Sequence, residues 1–120
     1  MSVVAITKDN FDKVISATDI VAIKFTAEWC GPCKSFAPIY EEVSDKYPDV
    51  TFAAVDTEAQ PELAQEFAVR SVPFLLILRE RVVIYSGSGT LPASALEDLI
   101  EQAKKLDMDE VRKQAQEAQD

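Results

Sequence analysis

The sequence contains no histidine and only two cysteines in 120 residues. Zinc ordinarily takes four Cys or His ligands, so a metal or an iron–sulfur cluster could be held only by pairing two chains. Long apolar runs are equally absent, although 48% of the residues are hydrophobic. A membrane-spanning helix needs about 20 consecutive apolar residues, and none is expected here. Positive charge is scarce: twelve Lys and Arg against twenty-one Asp and Glu give a formal net charge of −9. That balance argues against nucleic acid or an anionic membrane as partner, and otherwise reads as a route to solubility. The first residues, Met1-Ser2-Val3-Val4-Ala5-Ile6-Thr7, lack the basic region and the apolar stretch of a signal peptide. The expected location is therefore the cytoplasm, a reducing compartment in which a cysteine pair is more often catalytic than structural.

Both cysteines lie in one stretch, Trp29-Cys30-Gly31-Pro32-Cys33-Lys34. Before it, Ile20 to Phe25 is an apolar, β-branched run interrupted only by Lys24, the pattern of a buried strand. After it, Cys33, Phe36, Tyr40, Val43 and Tyr47 recur at steps of three and four, one face of a helix. The cysteines thus sit where a strand passes into the first turn of a helix. Unpaired N–H groups and the positive end of the dipole are found there, and both favour a thiolate at Cys30. A thiolate is the nucleophile in disulfide exchange. Cys33 is close enough to close a small ring and resolve a mixed disulfide. Pro32 suits a first helical turn and Gly31 admits a partner backbone. A purely structural disulfide is the competing reading, but one spanning two residues closes almost no loop and stabilises little.

Taken in order, Val3 to Ile6 reads as a strand, and Asp9-Asn10 as caps for a helix through Phe11, Val14 and Ile15. In the strand Ile20 to Thr26, alternation separates Val21, Ile23 and Phe25 from Ala22, Lys24 and Thr26. The helix after the cysteines should end near Tyr47-Pro48 and kink at Pro38. Val50 to Asp56 is a strand, Pro61 opens a short helix to Phe67, and Ser71 to Leu78 is a strand with a proline at its entrance. Arg79-Glu80-Arg81 turns into a strand from Val82 to Ser86. Pro92 marks the last main helix, with Leu96, Leu99, Ile100 and Ala103 as its stripe. The order βαβαβαββα predicts an α/β fold with one mixed sheet covered by helices on both faces.

These residues carry a resemblance. The W-C-G-P-C-K motif at Trp29 to Lys34, preceded by Phe25, Ala27 and Glu28, resembles the active site of the thioredoxin family. The likeness continues through Pro38, the D-x-E-x-x-P-E-L-A pattern from Asp56 to Ala64, V-R-S-V-P at Val69 to Pro73, and Gly89. It covers roughly residues 1–106, leaving 107–120 as a helical extension or tail. It implies the thioredoxin fold and a protein-disulfide reductase working without a bound cofactor. Cys30 would attack and Cys33 resolve. Disulfide-containing client proteins and a thioredoxin reductase or equivalent dithiol donor would be its partners, and the expected state is a monomer. Pro73 matches a cis-proline beside the disulfide, where Val72 would pair with an extended substrate, and Trp29, Gly31, Pro32 and Gly89 would border the groove. A thioredoxin-fold binding or chaperone module with slow redox turnover is the alternative.

Departures from the family pattern stand beside the matches. Lys24 occupies the place of a buried aspartate that serves the resolving cysteine, and Ala54 that of its lysine partner. Lys24 is therefore a third candidate for the chemistry. It would lie near Asp56 or Glu28 with its field acting on both sulfurs, or serve as the missing base once burial lowers its pKa. The bland alternative is a packed stem whose ammonium reaches water. Thr26 stands where a bulky residue is common, and Phe74, after the proline, is expected to reshape the groove floor. Glu80-Arg81 replaces an Asn-Gly turn, so a different turn type is expected. In the tail, Met108, Val111, Ala115 and Ala118 form a thin apolar stripe, which predicts a helix largely solvated or frayed.

Overall fold

The computed structural model describes residues 3–119, with side chains through Glu117. Met1, Ser2, Asp120 and the stripe position Ala118 lie outside the residues and side chains so described. Ten elements follow one another: β1 (Val3–Ala5), α1 (Phe11–Ile15), β2 (Ile20–Thr26), α2 (Gly31–Lys46), β3 (Thr51–Asp56), α3 (Pro61–Glu66), β4 (Phe74–Arg79), β5 (Val82–Ser88), α4 (Ala93–Lys105) and α5 (Met108–Gln119). The five strands form one mixed sheet in the order β1-β3-β2-β4-β5. β1 and β2 run parallel to β3, whereas β4 is antiparallel to β2 and to β5.

The period-two alternation of β2 divides the core. Ile20 and Ala22 join Phe36, Tyr40 and Val43 of α2, Tyr47 at its C-cap, and Leu96, Ile100 and Ala103 of α4 on one face. Val21, Ile23 and Phe25 join Val14, Ile15 and Leu63 of α1 and α3 on the other. Lys24 shares the α2 face by the same alternation. α2 runs unbroken through Pro38. Tyr40 pins it to the sheet, its buried hydroxyl lying 2.7 Å from the Ala53 carbonyl and 2.9 Å from that of Ala22.

Several local expectations are corrected. Asn10 makes no side-chain cap on α1. Its amide instead accepts from the Thr7 N–H and donates to the Ala5 carbonyl, tying the turn back to β1. The β4–β5 turn keeps left-handed conformations at Glu80 (φ 51°) and Arg81 (φ 69°) although neither is Gly or Asn. The twist of the paired strands favours a two-residue turn of that hand, and it prevails over the side-chain preference. The tail is a helix whose described side chains are largely exposed, as expected, with Met108 its buried exception. Asp107 Oδ1 accepts from the N–H groups of Asp109 and Glu110, and Arg112 pairs with Glu80 in the β4–β5 turn. Arg79 supports the junction, its guanidinium donating to the carbonyls of Ala103, Lys104 and Leu106 at the end of α4.

Candidate active site

Cys30 is the N-cap of α2, with extended backbone (φ −89°, ψ 109°), and Pro32 occupies the first turn. Cys30 and Cys33 are joined as a disulfide, Cα atoms 5.2 Å apart. The backbone N–H of Cys33 donates to Cys30 Sγ at 3.1 Å. This is one of the orphan donors of the helix start, and it points at the sulfur whose thiolate it would stabilise. Both cysteines are buried, in a small cluster with Ala27 against which Val72 packs.

The surroundings come from three separate loops. Trp29 is 70% exposed, the most exposed large apolar side chain among the described residues, and adjoins the disulfide. The Val72–Pro73 peptide is cis, and the Val72 carbonyl oxygen lies 3.6 Å from Cys30 Sγ. Gly89, at φ 97°, donates its N–H to the Pro73 carbonyl at 2.8 Å. Val72 thus lies against Cys30, and Gly89 is tied to the same segment through Pro73. A side chain added at Gly31 would meet open space, so the backbone there is accessible from outside. Phe74 is half-buried against the α1/α3 core, its ring packing edge-on to Phe25, centroids 6.1 Å apart.

Behind the disulfide lies an open cleft of about 530 Å³ lined by Lys24, Thr26, Ala27, Glu28, Cys33, Lys34, Ala37 and Asp56. Lys24 is only 6% exposed. Its register neighbour on β3 is Ala54, which leaves the space the lysine stem uses. Nζ lies 4.9 Å from the centroid of the Tyr40 ring, over its face, an arrangement that attracts a cation. Burial pulls the Lys24 ammonium below the ordinary lysine range, and the carboxylate of Glu41 opposes that. Asp56 and Glu28, expected beside it, line the same cleft, but Glu41 is the carboxylate whose charge acts on it. Glu41 and Tyr40 were missed as neighbours of Lys24. Their signal was the α2 stripe itself, since Tyr40 lies on the face that covers β2 and Glu41 borders it.

A model of the family described as Thioredoxin matches residues 2–102. The chain belongs to the thioredoxin family. A Streptomyces coelicolor relative of the thioredoxin 2 type is 54% identical over 118 residues, 98% of this chain and 88% of that protein. Thioredoxin C-3 of Corynebacterium nephridii is 39% identical over 100 residues, 82% of this chain and 69% of that protein. Among solved structures, a point mutant of Halobacterium salinarum thioredoxin has a TM-score of 0.82 at 30% identity, covering 88% of this chain and 94% of its own. Spinach chloroplast thioredoxin f has a TM-score of 0.79 at 34% identity, covering 87% and 95%. With its bonded Cys30–Cys33 pair, this thioredoxin-family chain is a thiol–disulfide oxidoreductase with protein-disulfide reductase activity. Among the described residues no group of three His, Cys, Asp or Glu is placed to hold a metal ion, and no helix is long and apolar enough to cross a membrane.

Proposed function

We propose that this thioredoxin-family protein reduces disulfides of client proteins in the cytoplasm, as a monomer, with Cys30 attacking and Cys33 resolving. The observation that carries the assignment is the helix-capping position of Cys30, whose sulfur accepts from the Cys33 N–H. A thiolate there is stabilised by that hydrogen bond and by the helix dipole. Cys30 attacks one sulfur of the client disulfide and the other leaves as a thiol. Cys33 then attacks Cys30 Sγ, the second client sulfur leaves, and the protein is left as the disulfide seen here. A thioredoxin reductase or another dithiol returns two electrons, and no bound cofactor takes part. An extended client segment would lie along Val72 and Pro73, flanked by Trp29, Gly31, Pro32 and Gly89. The catalytic unit is residues 1–106, with 107–120 as an appended helix.

The direct test is insulin reduction with a chemical dithiol as electron source. Wild type is expected to turn over, and Cys30→Ser to abolish turnover. A binding module would instead hold clients undiminished with both cysteines replaced by serine, and would show no turnover with either cysteine state.

A further inference from the structure

Lys24 is the one buried charged side chain among the described residues, and the exchange steps above leave it without a task. Burying a cation is unfavourable unless an anion meets it. Among the described residues no carboxylate forms an ion pair with it. The face of Tyr40 and the field of Glu41, both on α2, partly offset the burial. From the other elements packed round the cleft come Asp56 of β3 and Glu28 of the β2–α2 loop, with Lys34 and Cys33 on α2 itself. Of these groups Cys33 alone gains and loses negative charge during turnover.

We propose that Lys24 acts in the resolving step, its ammonium stabilising the Cys33 thiolate across the cleft the two residues share. The proposal rests on the reading of Cys33 as the resolving thiol. In that step Cys33 releases its proton to cleft water and its sulfur attacks Cys30 Sγ. The bond from Cys30 to the client sulfur breaks, and the departing client thiolate takes up a proton. The disulfide of the client is reduced and the dithiol is oxidised, with no other reactant. Lys24 favours the anion formed at the start of the step. Once the Cys30–Cys33 bond forms, that anion is gone, and only the Tyr40 face and the field of Glu41 oppose the burial. The lysine therefore holds its proton more weakly in the disulfide state than in the dithiol state, so its proton is coupled to the redox cycle.

The test compares wild type with Lys24→Met, which keeps the stem and deletes the charge, and with Lys24→Gln as a second variant. In a Cys30→Ser background the single Cys33 thiol is titrated by its thiolate absorbance. An opposite charge within a few ångströms lowers a pKa by about one to three units. At the lower end of that range, either substitution is expected to reduce the Cys33 thiolate fraction near neutral pH about tenfold. In the otherwise wild-type background, resolution of a preformed mixed disulfide on Cys30 should slow by a similar factor, and the gap should close at alkaline pH. An unchanged Cys33 titration together with an unchanged resolution rate would overturn the proposal and leave Lys24 as a packed stem. A shifted titration in a protein that fails to reduce insulin would uphold the role of Lys24 and defeat the reductase reading instead.

Discussion

Replacing Tyr40 with Phe removes one oxygen from the middle of the support for the active-site helix. The tyrosine is fully buried, and its ring packs edge-on to Phe52 at 5.3 Å and against Phe36 at 5.8 Å. Those contacts survive the change, as does the ring beneath Lys24. What is lost is a hydroxyl placed 2.7 Å from the Ala53 carbonyl and 2.9 Å from that of Ala22, a bridge from α2 to β3 and β2. A net hydrogen bond contributes about 0.5–1.5 kcal/mol, and a buried acceptor left short of a donor adds to the loss, so about 1.5 kcal/mol is expected. With an unfolding entropy of about 2.1 cal/mol/K per residue over 120 residues, this lowers Tm by roughly 6 °C. In urea the midpoint should fall with the slope unchanged. Burial pushes the Tyr40 hydroxyl far above its ordinary range, so it stays protonated and the difference should not vary with pH. Disulfide reduction should persist at temperatures where both proteins are folded. A loss below about 0.3 kcal/mol would refute the reasoning, because a hydroxyl bridging two strands would then contribute less than the usual net hydrogen bond.

Four further outcomes are expected. Tyr47, whose hydroxyl donates to Glu101 at 2.7 Å, has its pKa pushed up to about 12, chiefly by that hydrogen bond. Its folded-state pKa exceeds the ordinary 10.0, so the stability it contributes is complete below pH 10.0 and is lost as pH rises through about 12. Spectrophotometric titration should show this midpoint fall in Glu101→Gln. Arg81→Gly relieves the left-handed conformation at φ 69°; allowing for the greater freedom of glycine in the unfolded chain, denaturant titration should show a gain of about 0.5–1 kcal/mol. Removing residues 107–120 exposes the site of buried Met108 and deletes the surface pair of Arg112 with Glu80, so unfolding should show a loss of about 2 kcal/mol, nearly all from Met108. Insulin reduction by that truncated protein should match wild type per folded molecule. Gly89→Ala forces a side chain onto φ 97°; a loss of about 1–2 kcal/mol is expected by thermal unfolding.

Residue periodicity sufficed for much of this architecture because it states directly which face is buried. The three- and four-residue steps from Cys33 to Tyr47 and the alternation of Ile20 to Thr26 predict the faces that α2 and β2 bury. The same reasoning put both cysteines at the helix start. It failed where long-range geometry decides. Nothing local in Glu80-Arg81 announces a left-handed pair, since the demand comes from the twist of the strands either side. Asn10 has the side chain of a helix cap, yet a nearby carbonyl and N–H of β1 and its turn claim it. The charge partner of Lys24 could not be read from strand order either. Asp56 ends β3 and Glu28 lies in the loop just after β2, but the lysine meets the Tyr40 ring and the field of Glu41 on α2. In the tail the stripe marks Met108, which is buried, but not the remote pairing of Arg112 with Glu80.

The division of labour between the two sulfurs is tested most directly by trapping. Cys33→Ser and Cys30→Ser are each mixed with a disulfide-bonded client, and the covalent adducts are mapped by mass spectrometry. A stable mixed disulfide on Cys30 in the first variant and none in the second is the predicted result. An adduct that forms through Cys33 at an equal or faster rate would contradict the assignment of Cys30 as the attacking thiol.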